Sequence, residues 1–246
     1  MKFKKLTSAS SKLRDKCDEL ASELIFENVI DYVYNPLNYA WDVHKEYLKI
    51  ASKGNPKCIL LGMNPGPHGM GQMGIPFAAS SIVRDLFEIT GIKVMQPSTL
   101  HPARPVLGLE YPRDEISGIR IWNLLSGLYG TRDSIFDNVF VVNHCPLMLF
   151  NGQRATNITP DKIRGMTVEK LLKACDEHLK QVTKIFEADT VVGIGKYAEK
   201  RAKSVFQDTQ ISVKGCWHPS PASPLANRNN GKDWQKNITA VLPTNN

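Results

Sequence analysis

The sequence predicts an α/β fold of three layers, α/β/α, around a central, mostly four-stranded parallel sheet. Three observations carry that expectation. Four short apolar runs, Cys58–Gly62, Val139–Asn143, Thr190–Ile194 and Ile211–Cys216, lie far apart in the chain. Taken together they are apolar enough to suit strands buried on both faces. Helical patterns fill the intervals, and strands alternating with helices imply crossover connections and hence a parallel sheet.

In chain order, Leu13, Cys17, Leu20, Ala21, Leu24 and Ile25 recur at helical spacing between Ala9 and Asp31, with Lys12, Asp15, Lys16 and Glu19 opposite them. This is one amphipathic helix, preceded by a basic N-terminus, residues 1–8, that is expected to be flexible. The helix is expected to stop before Tyr34-Asn35-Pro36, since proline disfavours helix in the residue before it. Further helices are predicted over Ser80–Thr90, Ile119–Tyr129, Thr167–Glu187 and Lys196–Phe206; glycines 91 and 130 close the first two. The third carries Val168, Leu171, Leu172, Cys175, Leu179, Val182 and Phe186 on one stripe. Gly193-Ile194-Gly195-Lys196 invites a phosphate-binding reading, but Thr190 stands where the Walker pattern needs glycine, so it is a strand-to-helix turn. With no repeat and no dividing linker, residues 1–246 are expected to form one domain.

Composition narrows the function. A net charge of +7 and a pI near 9.1 are compatible with a polyanionic partner without demanding one. The cysteines, at 17, 58, 145, 175 and 216, form no Cys-x-x-Cys pair. That spacing argues against a zinc ribbon or a cysteine-held cluster and for reduced thiols in a cell interior. His44, His101, His144 and His178 show no zinc-ligand spacing either, so no metal is expected. Neither a secretory signal nor a run long enough to span a bilayer is visible, so no membrane partner is expected.

In a doubly wound sheet, ligands bind beyond the carboxyl ends of the strands. After the first run comes Gly62-Met63-Asn64-Pro65-Gly66-Pro67-His68-Gly69-Met70-Gly71-Gln72-Met73-Gly74-Ile75-Pro76-Phe77. Its five glycines and three prolines in sixteen residues specify an unusual backbone path. It contains no G-x-x-x-x-G-K-[ST], and Gly69-Met70-Gly71-Gln72-Met73-Gly74, which spells G-x-G-x-x-G, does not directly follow the strand run that ends at Gly62, so no nucleotide cofactor is supported, and no cofactor of any kind is expected. Asn143-His144-Cys145-Pro146-Leu147 follows the second run and His218-Pro219-Ser220-Pro221 the fourth. An asparagine offers one acceptor and one donor, which matches the N3–H and O4 of uracil, whereas cytosine reverses that pattern. A histidine can hydrogen-bond a second carbonyl where negative charge collects.

In this order, these segments resemble the successive motifs of the single-strand-selective monofunctional uracil-DNA glycosylases. The likeness runs from about Tyr32 to Trp234. It implies the uracil-DNA glycosylase fold and DNA as partner, with uracil or a 5-modified uracil such as 5-hydroxymethyluracil flipped from single- or double-stranded DNA and released by hydrolysis. It also implies a base-excision-repair role in the nucleus of a eukaryote, or beside the nucleoid otherwise, and action as a monomer. By match, Asn64 positions the attacking water and His218 hydrogen-bonds the base O2. Phe77 stacks on the base, Asn143 reads its edge, and Met63 and Gly66 complete the pocket, with Gly66 leaving space near C5. Asparagine at the water position departs from the aspartate of related uracil glycosylases, and a neutral amide cannot stabilise an oxocarbenium-like sugar as a carboxylate does.

The segment after His218 corresponds to the family's DNA wedge, with Pro219, Ser220 and Pro221 against the DNA. Where the family continues Arg-Asn-Pro, this chain has Ala222-Ser223-Pro224 and then a longer Leu225-Ala226-Asn227-Arg228-Asn229-Asn230-Gly231-Lys232. Ala222 is too short to wedge, so Leu225 or Arg228 is expected to fill the stack and Lys232 to meet phosphate. His68 stands where the family has an aromatic carbocycle. Arg154 and Lys162 are backbone contacts or plain solvated charge. The rival function is a non-catalytic nucleic-acid-binding module on the same scaffold. A glycosylase with lyase activity would need a nucleophilic amine, and no lysine lies in the three matched segments.

Overall fold

The structure is a computed structural model describing residues 1–244; residues 245–246 of the expected domain lie outside the described residues. The chain runs through α1 (Lys2–Phe26), β1 (Tyr32–Tyr34), α2 (Trp41–Ala51), β2 (Cys58–Gly62) and α3 (Ser80–Asp85). It continues through α4 (Ile116–Tyr129), α5 (Arg132–Asn138), β3 (Val139–Asn143), β4 (Met148–Asn151) and β5 (Thr156–Ile158). It closes with α6 (Met166–Phe186), β6 (Thr190–Ile194), α7 (Gly195–Val205), β7 (Ser212–Cys216) and α8 (Lys232–Thr239).

The expected four-stranded sheet is present, ordered β3-β2-β6-β7 with every neighbouring pair parallel. All residues of β2 and β3 are buried, and because successive side chains point to opposite faces, helices must cover both. β7 differs: its exposure alternates along the strand, as an edge strand with one wetter face should. Register sets the site. Gly62 of β2 pairs with Asn143 of β3, so the segments leaving both strands start side by side. Gly193-Ile194-Gly195-Lys196 is a strand-to-helix turn, with Gly195 at φ +82° opening α7.

The core is aromatic. Tyr47 of α2 sits among Phe87, Trp122, Phe136 and Phe140, and its hydroxyl donates to the Val141 carbonyl at 2.6 Å. Trp122 is fully buried, so truncation to alanine costs about 3–5 kcal/mol.

Four expectations are corrected. The N-terminal residues expected to be flexible are the first turns of α1, because Leu6 extends the buried stripe of Leu13, Cys17, Leu20 and Leu24. That helix also ends at Phe26, well before Asp31. The helix expected over Ser80–Thr90 stops at Asp85: the Phe87 amide folds back to the Ile82 carbonyl at 3.1 Å and Glu88 turns left-handed at φ +57°, which seats Phe87 in the core. Finally, an unexpected antiparallel sheet, β1-β4-β5, supports one side of the pocket, with Tyr34, Phe150 and Tyr39 packed beneath it.

Among the described residues, no helix is long and apolar enough to cross a membrane. All the cysteines are unpaired and buried.

Candidate active site

The loop after β2 is held by buried polar side chains rather than by regular structure. Gln72 donates to the carbonyls of Pro67 and Pro105 at 2.9 and 3.1 Å and accepts from the Leu107 amide at 2.8 Å. His44 reaches the Gly74 carbonyl at 2.8 Å, and burial lowers its pKa to about 4, so it is a neutral strut. The loop is also sewn to its neighbour: the amides of His144 and Cys145 donate to the carbonyls of Gly62 and Met63 at 3.0 and 2.9 Å.

These ties create a cavity of about 420 Å³, within the range of small-molecule sites. Its lining brings together the expected Met63, Asn64, Gly66, Phe77, Asn143 and His218, along with Ser220. Pro219, Pro221, Leu225, Arg228 and Lys232 lie outside that lining. Besides Pro65, which was given no role within the glycine–proline loop, sequence reasoning missed four lining residues, Glu115, Ser117, Asn157 and Thr159. Glu115 and Ser117 belong to the start of α4, which follows no strand, while Asn157 lies on β5 of the unexpected second sheet and Thr159 directly follows it.

Asn143 is buried at the end of β3; its Nδ2 has only the Met70 sulfur at 3.2 Å, and its Oδ1 is enclosed with no partner. Asn64 likewise has an enclosed, unpartnered Nδ2. Each such orphan costs about 1–3 kcal/mol until something pairs with it. Gly62 makes room for the arrangement: a Cβ there would stand 2.1 Å from Asn143 Oδ1 and 2.7 Å from the Phe77 ring.

Phe77 is held in the left-handed region at φ +53°, a conformation a bulky side chain adopts only when its surroundings impose it. Two contacts impose it. Trp122 Nε1 donates to the Phe77 carbonyl at 3.0 Å, and Gly118 packs so closely on that carbonyl that its Cβ would lie 2.2 Å away. The Phe77 ring stands 6.1 Å from that of His218, tilted by 41°.

His218 Nδ1 accepts the Ser220 amide at 3.1 Å. A neutral imidazole accepting at Nδ1 carries its proton on Nε2, and burial pushes the pKa below the ordinary histidine value. The ring therefore offers one Nε2–H donor at neutral pH.

The surrounding segments fall into place around this centre. Arg120 of α4 donates to the Pro219 carbonyl and to Asn227 Oδ1, both at 2.9 Å, and Asn227 Nδ2 donates to the Pro221 carbonyl at 2.7 Å. Leu225, 41% exposed, lies on the one-turn helix Pro224–Asn227 that these bonds hold. Arg228 has an exposed ion pair with Asp233 at 3.6 Å, and Lys232 begins α8 in solvent. His68 does not line the cavity; it pairs with the Tyr111 hydroxyl and stacks on that ring. Arg154 is exposed, and Lys162 lies 3.7 Å from Asp161.

The comparisons with known proteins agree on one family. The model of the uracil DNA glycosylase superfamily matches residues 49–242. The chain is 41% identical over 213 residues to the single-strand selective monofunctional uracil DNA glycosylase of Bos taurus, covering 86% of this chain and 77% of that one. It is 41% identical over 209 residues to the Rattus norvegicus protein of the same name, covering 84% and 74%. The crystal structure of wild-type Pedobacter heparinus SMUG2 superposes with a TM-score of 0.60 at 16% identity, covering 85% of this chain and 86% of that one, a likeness of fold. The chain belongs to the uracil-DNA glycosylase superfamily and, within it, to the single-strand selective monofunctional uracil-DNA glycosylases.

Proposed function

We propose that the protein is a monofunctional DNA glycosylase that hydrolyses the N-glycosidic bond of uracil, and of 5-modified uracils such as 5-hydroxymethyluracil, in single- and double-stranded DNA. The carrying observation is that Asn64, Asn143 and His218, remote in sequence, line one cavity in which Asn143 Oδ1 and Asn64 Nδ2 have no partner. Uracil extruded from the stack complements that set. Its N3–H fits Asn143 Oδ1, and its O4 takes the Nδ2 donor that now has only a thioether. Phe77 provides a face to stack on, and His218 Nε2–H meets O2.

The chemistry follows from where charge develops. As the glycosidic bond lengthens, the base becomes an anion and the sugar an oxocarbenium-like cation. A fixed Nε2–H at O2 stabilises the departing anion without having to reorient. Asn64 holds water against the opposite side of the sugar carbon; the sugar cation needs placement of that water more than its deprotonation. No lysine lines the cavity, which supports hydrolysis without a Schiff base.

Extrusion leaves a gap in the duplex, and Leu225 fills it. Its exposed apolar side chain rides on the short helix that Arg120 fastens to the pocket rim, whereas Arg228 is already engaged by Asp233. Pro219, Ser220 and Pro221 run along the DNA, and Lys232 meets a phosphate.

The decisive experiment is release of base from single- and double-stranded oligonucleotides carrying uracil, 5-hydroxymethyluracil or thymine, for the wild type, Asn64→Ala and His218→Ala. Loss of rate in both variants, with DNA affinity retained, is expected. Binding of uracil DNA without cleavage by the wild type would mean a binding module instead. Borohydride trapping is expected to yield no covalent protein–DNA adduct.

A further inference from the structure

One titratable group in the pocket has no part in the chemistry above. Glu115 immediately precedes α4, and its carboxyl is enclosed in the cavity wall with Oε2 bonded to nothing. Burial raises its pKa to about 7, the expected response of an acid whose charged form has lost water and gained no cation. The carboxyl lies against the bare backbone of the glycine loop. A Cβ on Gly66 would stand 2.9 Å from Oε2 and 3.0 Å from Oε1, and one on Gly69 would stand 2.0 Å from Oε2. A side chain at either position would collide with the acid.

The pairing edge of uracil is already fully used. N3–H and O4 belong to Asn143, and O2 to His218. The remaining place where a pyrimidine can carry a polar group toward the wall is C5, the position assigned to the space beside Gly66. We infer that Glu115 is a specificity-determining residue, whose carboxyl hydrogen-bonds a hydroxyl carried on C5 of the extruded base. The inference rests on the glycosylase reading and on that placement of Gly66.

The consequence is discrimination at a single atom. A hydroxymethyl group pairs with the acid in either protonation state, since a neutral carboxyl donates or accepts and an ionised one accepts. A methyl group presses apolar surface against the carboxyl and offers nothing in return. Sites built to hydrogen-bond a hydroxyl reject analogues that lack it because the buried polar group is left unpaired.

The test uses the full chain and three oligonucleotides that differ only at C5 of the target pyrimidine: hydrogen, methyl or hydroxymethyl. Single-turnover rates are measured for the wild type, Glu115→Gln and Glu115→Val at about pH 6 and about pH 8, values that bracket ionisation of the acid. The hydroxymethyl-to-hydrogen rate ratio is expected to fall about tenfold in Glu115→Val and less in Glu115→Gln, the size of one hydrogen bond to an ionisable group. In the wild type that ratio rises from pH 6 to pH 8, as ionisation makes the bond charge-assisted. In Glu115→Gln the rise is absent, a readout that remains if Glu115→Val does not fold. A wild-type enzyme active on these substrates whose ratio moves in neither variant, or whose pH response survives in Glu115→Gln, overturns the inference alone. A wild type that releases no base from any oligonucleotide overturns the glycosylase reading and this inference with it.

Discussion

The loops that close on the base and the segment that faces the DNA are built differently. The residues from Gly62 to Phe77, with Asn143 beside them, are fixed by strand register, by buried Gln72 and His44, and by backbone bonds between the two strand ends. The stretch from Ala222 to Lys232 is mostly exposed, contains Asn229 and Asn230 at φ +48° and +52°, and is held largely through Arg120. Chemistry at a leaving group needs donors placed before the reaction begins, while a probe that enters a stack needs apolar surface in water until DNA arrives. The difference teaches that pocket changes should act on the rate with every DNA substrate, and segment changes on how the protein engages DNA, whether by binding it or by opening the duplex.

Five measurements break or sharpen that contrast. The largest effect is expected on His218→Ala: a loss of about 10²–10³ in single-turnover rate with oligonucleotide affinity little changed, as for other preorganised donors. Gly62→Ala should match it in rate and also lower the melting temperature, because the new methyl overlaps Asn143 Oδ1. A Gly62→Ala enzyme of normal rate would show that the pocket is softer than its register implies.

Next in size is the pH response of stability. Glu115 has its folded pKa raised from 4.5 to about 7, so its contribution is fully present below the unfolded value and is lost as pH rises through the folded one. Between about pH 5 and about pH 8 the wild type should lose up to about 3 kcal/mol relative to Glu115→Gln. Parallel denaturation midpoints for the two proteins across that window would contradict it.

Leu225→Ala should slow excision from duplex about tenfold, about 1.4 kcal/mol, and leave single-stranded substrate almost untouched; equal losses on both would remove Leu225 from the stack. The smallest change belongs to Lys232→Ala, expected to weaken binding evenly across sequences and flatten the salt dependence by one phosphate contact. An unchanged slope would leave Lys232 in solvent.

Much of this organisation was legible in the sequence. The buried strands announced themselves as short apolar runs and the glycine–proline loop as backbone needing an unusual path, while the register that sets Gly62 beside Asn143 is known only from the structure. What stayed hidden depended on contacts distant in sequence. Glu115 sits before a helix rather than after a strand, and only the fold of the Gly66–Gly69 loop brings its carboxyl to the cavity. β4 and β5 are short, and the pairing of β4 with β1 joins residues more than a hundred positions apart. The start of α1 was lost because Lys2, Lys4 and Lys5 crowd Phe3 and Leu6, the residues that pack its first turns against the core.

Gly62 carries a consequence for anyone who would re-engineer the cavity. Its empty side-chain position lets Asn143 and Phe77 pack directly on the main chain, so what stands behind these two side chains is peptide, and peptide has no rotamers to repack. Libraries that vary Met63, Phe77 or Ser117 can reshape the walls and shift which pyrimidines fit sideways. Deepening the slot, as a purine would require, calls instead for a change in how two parallel strands leave the sheet.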